Sequence, residues 1–201
     1  MKRVCLRAGG MLLIMLVATG LLYTLLVTGI GQALFPKQAN GSVIEVNGKT
    51  YGSELLGQQF TGNEYLWGRI MNVDVSSFTD ENGEPAMYAW ASNLSPASEE
   101  YEAMVAQRVE ALQAANPEMA GEPIPVDLVT CSGSGLDPEI SPDAAEYQVT
   151  RIAGARGVSE DEVRQAIAAC TKGRLLGIFG EPRVNVLKVN LMLDGILEDA
   201  A

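Results

Sequence analysis

The chain has 201 residues, 14 Lys and Arg against 25 Asp and Glu, and no histidine. That length fits one ordinary domain with an appendage. The missing histidine excludes Ser-His and Cys-His catalytic pairs and imidazole metal ligands. Lys2, Arg3 and Arg7 precede every acid, whereas residues 37–201 hold 11 bases against all 25 acids, a net −14. Phosphate repels such a body, so nucleic acid is not an expected partner.

Residues 8–35 form a 28-residue run without a charged side chain. A bilayer core of about 30 Å needs about 20 helical residues, so the run is long enough to span. Gly20, Gly29 and Ala18 either admit a neighbouring helix closely or are small residues tolerated there. The basic head places the N-terminus inside, which makes residues 1–7 cytoplasmic and residues 36–201 extracytoplasmic. A cleavable signal peptide, with Gly31-Gln32-Ala33 as its cleavage site, is the rival. Its apolar region would be much shorter, so a retained anchor is the preferred reading.

Beyond the span, residues 41–53 read as a β-hairpin, with Asn47-Gly48 supplying a type I′ turn. GQQFTGNEYLWGR follows, Gly57 to Arg69, too polar for core and too uncharged for a solvated loop. Its glycines, amides and aromatics suit a turn-rich scaffold better than direct ligand contact. Residues 70–94 are irregular. An EF-hand frame centred on Gly83 would put Phe78 and Ala89 at its first and last ligand positions, so calcium is excluded there. Ser95-Pro96 should open a helix ending at Asn116-Pro117, with Tyr101, Met104, Val105, Val109 and Leu112 as its buried stripe and Glu99, Glu100 and Glu102 at its positive end.

Ile124–Cys131 reads as a strand. The Ser/Gly-rich loop after it lacks both the G-x-S-x-G elbow and the Gly-Lys-Ser/Thr of a phosphate loop. Ser141-Pro142 should start a helix running to about Arg156, with Gly157 as its stop. Ser159–Glu162 is a capping box opening another, and the two form a compact lid. Val184–Asn190 reads as a last strand, and Leu191–Leu197 as a short terminal helix. The fold class is thus one N-terminal transmembrane helix plus a mixed α/β extracytoplasmic domain. Cys131 and Cys170 would share an oxidising compartment, where they either pair as a disulfide or remain buried thiols.

Three functions fit these residues: an accessory subunit of a membrane complex, an anchored hydrolase, or an anchored receptor for a cation or small ligand. The hydrolase would need acid pairs such as Asp74 with Asp80 or Glu99 with Glu100, and no spacing singles one out.

An ordered set of motifs carries a resemblance. It begins with Gln32-Ala33-Leu34-Phe35-Pro36, Gln38-Ala39-Asn40-Gly41-Ser42 and Leu56-Gly57-Gln58. Phe60-Thr61-Gly62-Asn63, Gly68-Arg69 and Ser92-Asn93-Leu94 follow. The last are Ser134-Gly135-Leu136-Asp137, Ile140-Ser141-Pro142, Arg151-Ile152-Ala153 and Asn185-Val186. Together they resemble the C subunit of the Kdp potassium-transporting P-type ATPase over nearly the whole chain. The common pattern is broken at Ile70-Met71 and Trp90-Ala91, so the loop between them is expected to differ.

The resemblance implies a single-pass subunit of a bacterial or archaeal cell membrane. Its partners would be a channel-like potassium-pathway subunit, an ATP-hydrolysing pump subunit and a small membrane subunit, with potassium carried by a partner and no cofactor bound tightly. It further implies a catalytic chaperone that raises the pump's ATP affinity, with Gln58 as the nucleotide-contacting glutamine. The charge bias opposes direct contact, since it puts Gln58 outside while ATP is inside. An effect transmitted through the complex, or one confined to isolated domains, is the preferred resolution.

Overall fold

The computed structural model describes residues 1–76, 79, 80, 83, 84 and 86–198. The excluded calcium position Phe78 lies outside the described residues. Two units divide the chain, residues 1–43 and 44–201.

The first unit is a continuous helix, Lys2–Leu34. It runs as α1 (Lys2–Met15), a π-helical stretch (Leu16–Tyr23) and α2 (Thr24–Leu34). None of its residues is buried within the chain. An apolar helix exposed all round is what a lipid environment favours. At about 1.5 Å per residue its 33 residues reach about 50 Å, more than one bilayer core. Phe35 leaves helical geometry, and Pro36 opens the single turn α3 (Pro36–Ala39). The Gln32 and Asn40 side-chain amides exchange hydrogen bonds of 3.3 and 3.1 Å, and Asn40 also donates to the Pro36 carbonyl at 2.7 Å. The quoted motif residues at this end therefore tie off the helix.

The second unit begins with the expected hairpin, β1 (Val43–Val46) and β2 (Lys49–Ser53). Asn47 and Gly48 both take positive φ, 53° and 75°, as the turn requires. A two-residue pair follows, β3 (Val73–Asp74) with β4 (Tyr88–Ala89), antiparallel. A three-stranded antiparallel sheet has the order β5 (Glu139–Ile140), β7 (Arg183–Asn185), β6 (Thr171–Lys172). The helices are α4 (Glu99–Ala115), α5 (Val126–Val129), α6 (Pro142–Glu146), α7 (Val149–Arg156), α8 (Glu160–Ala169) and α9 (Val186–Leu193).

Several local expectations need correction. Ser98, not Ser95, caps α4, accepting from the Tyr101 amide at 3.3 Å. Ser95 instead holds the preceding turn, its carbonyl accepting from the Ser98 hydroxyl at 2.8 Å. Ile124–Cys131 is not a strand: Pro125 opens the one-turn helix α5, closed where the Thr130 hydroxyl donates to the Val126 carbonyl at 2.8 Å. The helix from Ser141 is broken at Tyr147-Gln148 into α6 and α7, although Gly157 stops it as expected, at φ 68°. The capping box is present in full, the Ser159 hydroxyl accepting from the Glu162 amide and Glu162 accepting from the Ser159 amide. α7 and α8 are not a lid, since Val149, Ile152, Val163 and Ala166 are core.

Val184–Asn190 is the largest correction. The strand ends at Asn185, whose side chain caps α9 by accepting from the Lys188 amide at 3.0 Å. Every residue of α9 from Val186 to Leu191 is buried. Its Val186 and Val189 enter the main core with Leu66, Leu112 and Leu128, while Leu187 and Leu191 enter a second cluster with Ile44. A helix packed between two cores is buried on all sides and loses the 3.6-residue signature. Lys188 lies within this packing, its ammonium 2.7 Å from the Glu54 carboxylate.

Candidate functional site

The segment Gly57–Arg69 has no helix or strand of its own. Its buried backbone groups therefore need partners from elsewhere. Asn190 supplies both for Leu66, accepting from its amide at 2.8 Å and donating to its carbonyl at 3.0 Å. Gln148 does the same for Trp67, at 2.9 and 3.1 Å. The Arg151 guanidinium donates to the Asn63 and Tyr65 carbonyls at 2.6 and 3.0 Å and to the Gln148 and Asn116 side-chain oxygens at 2.7 and 3.0 Å. Three polar side chains from α7, α9 and the turn before α7 thus hold an irregular loop in one shape.

That shape makes one wall of a cavity of about 240 Å³, with α4 as the other. Gln58, Phe60, Arg69 and Met71 line it from the loop side, Met104 and Arg108 from the helix. Arg108 donates through Nε to the Leu128 carbonyl (2.9 Å) and through Nη2 to the Gly68 carbonyl (2.8 Å). Arg69 donates to the Thr130 hydroxyl at 3.2 Å and the Cys131 carbonyl at 3.1 Å, and faces the Asp137 carboxylate at 3.4 Å. Its Nε is buried without a partner. The guanidinium carbons of Arg108 and Arg151 lie 5.4 and 4.6 Å from the Trp67 ring centroid, within cation–π range.

Burial lowers the pKa of Arg108. Burial, then the like charge of Arg108, lowers that of Arg151 to about 10, with Glu64 acting in the opposite sense. At that value Arg151 remains cationic at neutral pH. Among the described residues the lining holds guanidinium, amide, thioether and aromatic groups, but no carboxylate, hydroxyl, thiol or amine. It is equipped to bind, and it offers no group for proton transfer or nucleophilic attack.

Gln58 lies on this cavity, and its amide nitrogen donates to the Tyr51 carbonyl at 2.9 Å. Gly52 makes that seat. It takes φ 133°, and a Cβ there would collide with the Gln58 amide nitrogen. Ile70 and Met71, where the common pattern is broken, also line the cavity. Arg108 was not among the expected site residues. Its signal was a charge within the apolar stripe of α4, at steps of four from Met104 and Leu112.

The remaining candidates lie elsewhere. Cys131 and Cys170 are free thiols. Cys131 donates to the Ser132 carbonyl at 3.4 Å and forms a parallel bridge with Ile70 through its backbone. Cys170 is buried beside the Met192 sulfur at 3.3 Å, and burial raises its pKa to about 11, Lys188 opposing. The Asp74 carboxylate accepts from Ser76, and the Asp80 carboxylate from the Glu84 amide. Glu99 and Glu100 are exposed in the first turn of α4. Among the described residues no group of three Cys, Asp or Glu side chains could hold a metal ion.

The family model described as "K+-transporting ATPase, c chain" matches residues 5–195. A Clostridium perfringens protein named potassium-transporting ATPase KdpC subunit is 60% identical over 187 residues, covering 93% of this chain and 94% of that one. Proteins of the same name from Clostridium botulinum strain Eklund 17B and Sorangium cellulosum are 55% and 51% identical. The alignments cover 92% of this chain in both cases, with 92% and 94% of the relatives. A match that runs from inside the apolar helix's first turns to the end of the last core helix takes in the anchor, the irregular loop and the cavity alike: the chain belongs to the KdpC family, the c chain of the K+-transporting ATPase.

Proposed function

We propose that the chain is a non-catalytic accessory subunit of an ATP-driven potassium-uptake complex, which it assembles or stabilises. One helix anchors it, with residues 1–7 cytoplasmic and the α/β domain extracytoplasmic. The observation that carries this is the family match along 191 consecutive residues, anchor included. The cavity's chemistry supports it, because its described lining residues bring guanidinium, amide and apolar groups suited to binding. ATP hydrolysis and the potassium pathway then belong to partner subunits. Lys2, Arg3 and Arg7 set the orientation. Labelling with a membrane-impermeant maleimide in intact cells tests it, using a chain whose three native cysteines are replaced and which carries Glu118→Cys, an exposed position. Labelling before lysis is expected, and labelling only after lysis would reverse the topology.

In this arrangement any effect on ATP affinity is transmitted through the complex. Gln58 commits one of its two amide N–H donors to the Tyr51 carbonyl and serves as a strut between hairpin and loop. Gln58→Ala should change ATP affinity only to the extent that it loosens assembly. Weaker ATP affinity in a fully assembled complex would overturn this reading and restore direct contact. The acidic body further raises the local potassium concentration where its carboxylates line the entrance, within a Debye length of about 8 Å. Neutralising those carboxylates should raise the apparent KM for potassium at low ionic strength.

A further inference from the structure

Arg108 has more binding capacity than the fold uses. A guanidinium carries about five N–H donors, and here the Leu128 carbonyl takes one from Nε and the Gly68 carbonyl one from Nη2. Nη1 donates to no group among the described residues, and no carboxylate pairs with this side chain there. Nor is Nη1 sealed in protein. Arg69 Nε is the one side-chain polar atom so buried without a partner among the described residues, and Arg108 lines the cavity. The neighbours add positive charge rather than cancel it. Arg151 faces the same Trp67 ring, and Arg69 has Asp137 at 3.4 Å as its carboxylate. A half-buried cation without a counter-charge is costly, and an anion relieves that cost.

We propose that this cavity binds a small monocarboxylate with an apolar body, its carboxylate on Arg108 and its body against Phe60, Ile70, Met71 and Met104. The walls decide the kind of anion. An inorganic oxyanion such as phosphate would give up its water against these apolar side chains without return. A carboxylate on an apolar body matches both parts, since a planar guanidinium edge meets a carboxylate in two parallel hydrogen bonds. Volume decides the size. A cavity of about 150 Å³ holds benzene, so one of about 240 Å³ takes about ten non-hydrogen atoms. A nucleotide is far larger than that. Such binding goes beyond the accessory role and does not depend on it.

The test is equilibrium dialysis of the full chain in nonionic detergent against radiolabelled phenylacetate, a probe of that size, with protein-free detergent as the baseline. One equivalent should bind saturably. Phenylacetamide, which has the same shape without the charge, should compete about tenfold worse, and so should inorganic phosphate. Arg108→Gln should weaken phenylacetate by about tenfold or more. Ala111→Phe, at an exposed lining position, should weaken it as much by filling the space while leaving the carbonyl contacts of Arg108 in place. Arg164→Gln, at a guanidinium already held by Glu146 and Glu160, should change nothing. No binding above the detergent baseline, equal competition by the amide or by phosphate, full binding to Ala111→Phe, or an equal loss from Arg164→Gln would each overturn the proposal. If Arg108→Gln does not fold, the amide comparison and Ala111→Phe decide.

Discussion

Asn190→Leu gives the sharpest test of how the irregular loop is held. Leucine keeps asparagine's branch point and heavy-atom count, but its methyl groups are bulkier, so any overpacking adds to the loss. It strips the partners from the amide and carbonyl of Leu66, a residue with 0% exposure. Each buried orphan costs about 1–3 kcal/mol, or about 2–6 kcal/mol for the pair. The added apolar surface recovers about 1 kcal/mol, so the expected loss is about 1–5 kcal/mol. For a chain of this size that is a fall of about 3–15 °C in Tm, measured on the full chain in detergent by circular dichroism. Asn190→Asp supplies the control. A carboxylate still accepts from the Leu66 amide but repels its carbonyl, and only the protonated acid can donate. Its folded-state pKa is therefore raised, so its stability relative to wild type should improve below the ordinary Asp value of about 3.9 and be lost as pH rises through the raised value. A leucine variant within about 0.5 kcal/mol of wild type would refute the assignment of these bonds as what fixes the loop.

Gly135→Ala should be far worse than Gly157→Ala. Both glycines have positive φ, 73° and 68°, but a Cβ at Gly135 meets the Trp90 and Asn72 carbonyls, whereas Gly157 has open space. The second should cost about 1 kcal/mol and the first several times that, read from urea midpoints. Glu162→Gln probes the capping box. Hydrogen bonds from the Ser159 amide and then its hydroxyl lower the Glu162 pKa. The wild-type advantage should be full above about pH 4.3, the unfolded value, and disappear as pH falls through the lowered one; a difference independent of pH would count against it. Glu54→Ala leaves the buried Lys188 ammonium without its carboxylate and should cost about 3–5 kcal/mol, while Glu54→Leu with Lys188→Met should recover most of the loss.

What could be read from the sequence was whatever local chemistry dictates. Asn47-Gly48, Ser159 with Glu162, and Gly157 each act within four residues, and each is where it was expected. The stripe of α4 was legible in its spacing, but only Leu112 is buried, while Tyr101, Met104, Val105 and Val109 are half-buried. Ile124–Cys131 was misread because a single helical turn is too short to show a period, and Val184–Asn190 because a run buried on every side carries none. Asn185 held the missing signal, an N-cap residue in the middle of the apparent strand. At the site, Gln58 was found through family resemblance and Arg108 was not found at all. A lone arginine on a buried stripe looks like a tolerated exception until the carbonyls it serves, on Gly68 and Leu128, are brought to it by the fold.

The way the loop is held also decides where this protein is free to vary. Asn190, Gln148 and Arg151 bind main-chain atoms of Asn63, Tyr65, Leu66 and Trp67, and a main chain is the same whatever side chain it carries. Asn63 and Glu64, both exposed, can therefore drift without disturbing the grip. The three grasping residues have no such latitude, and positions 66 and 67 are held twice, by the amide that bars proline and by side chains buried in the core. The memory of the loop's shape is thus stored about eighty residues or more downstream, and the lining of the cavity can be retuned while its frame stays the same.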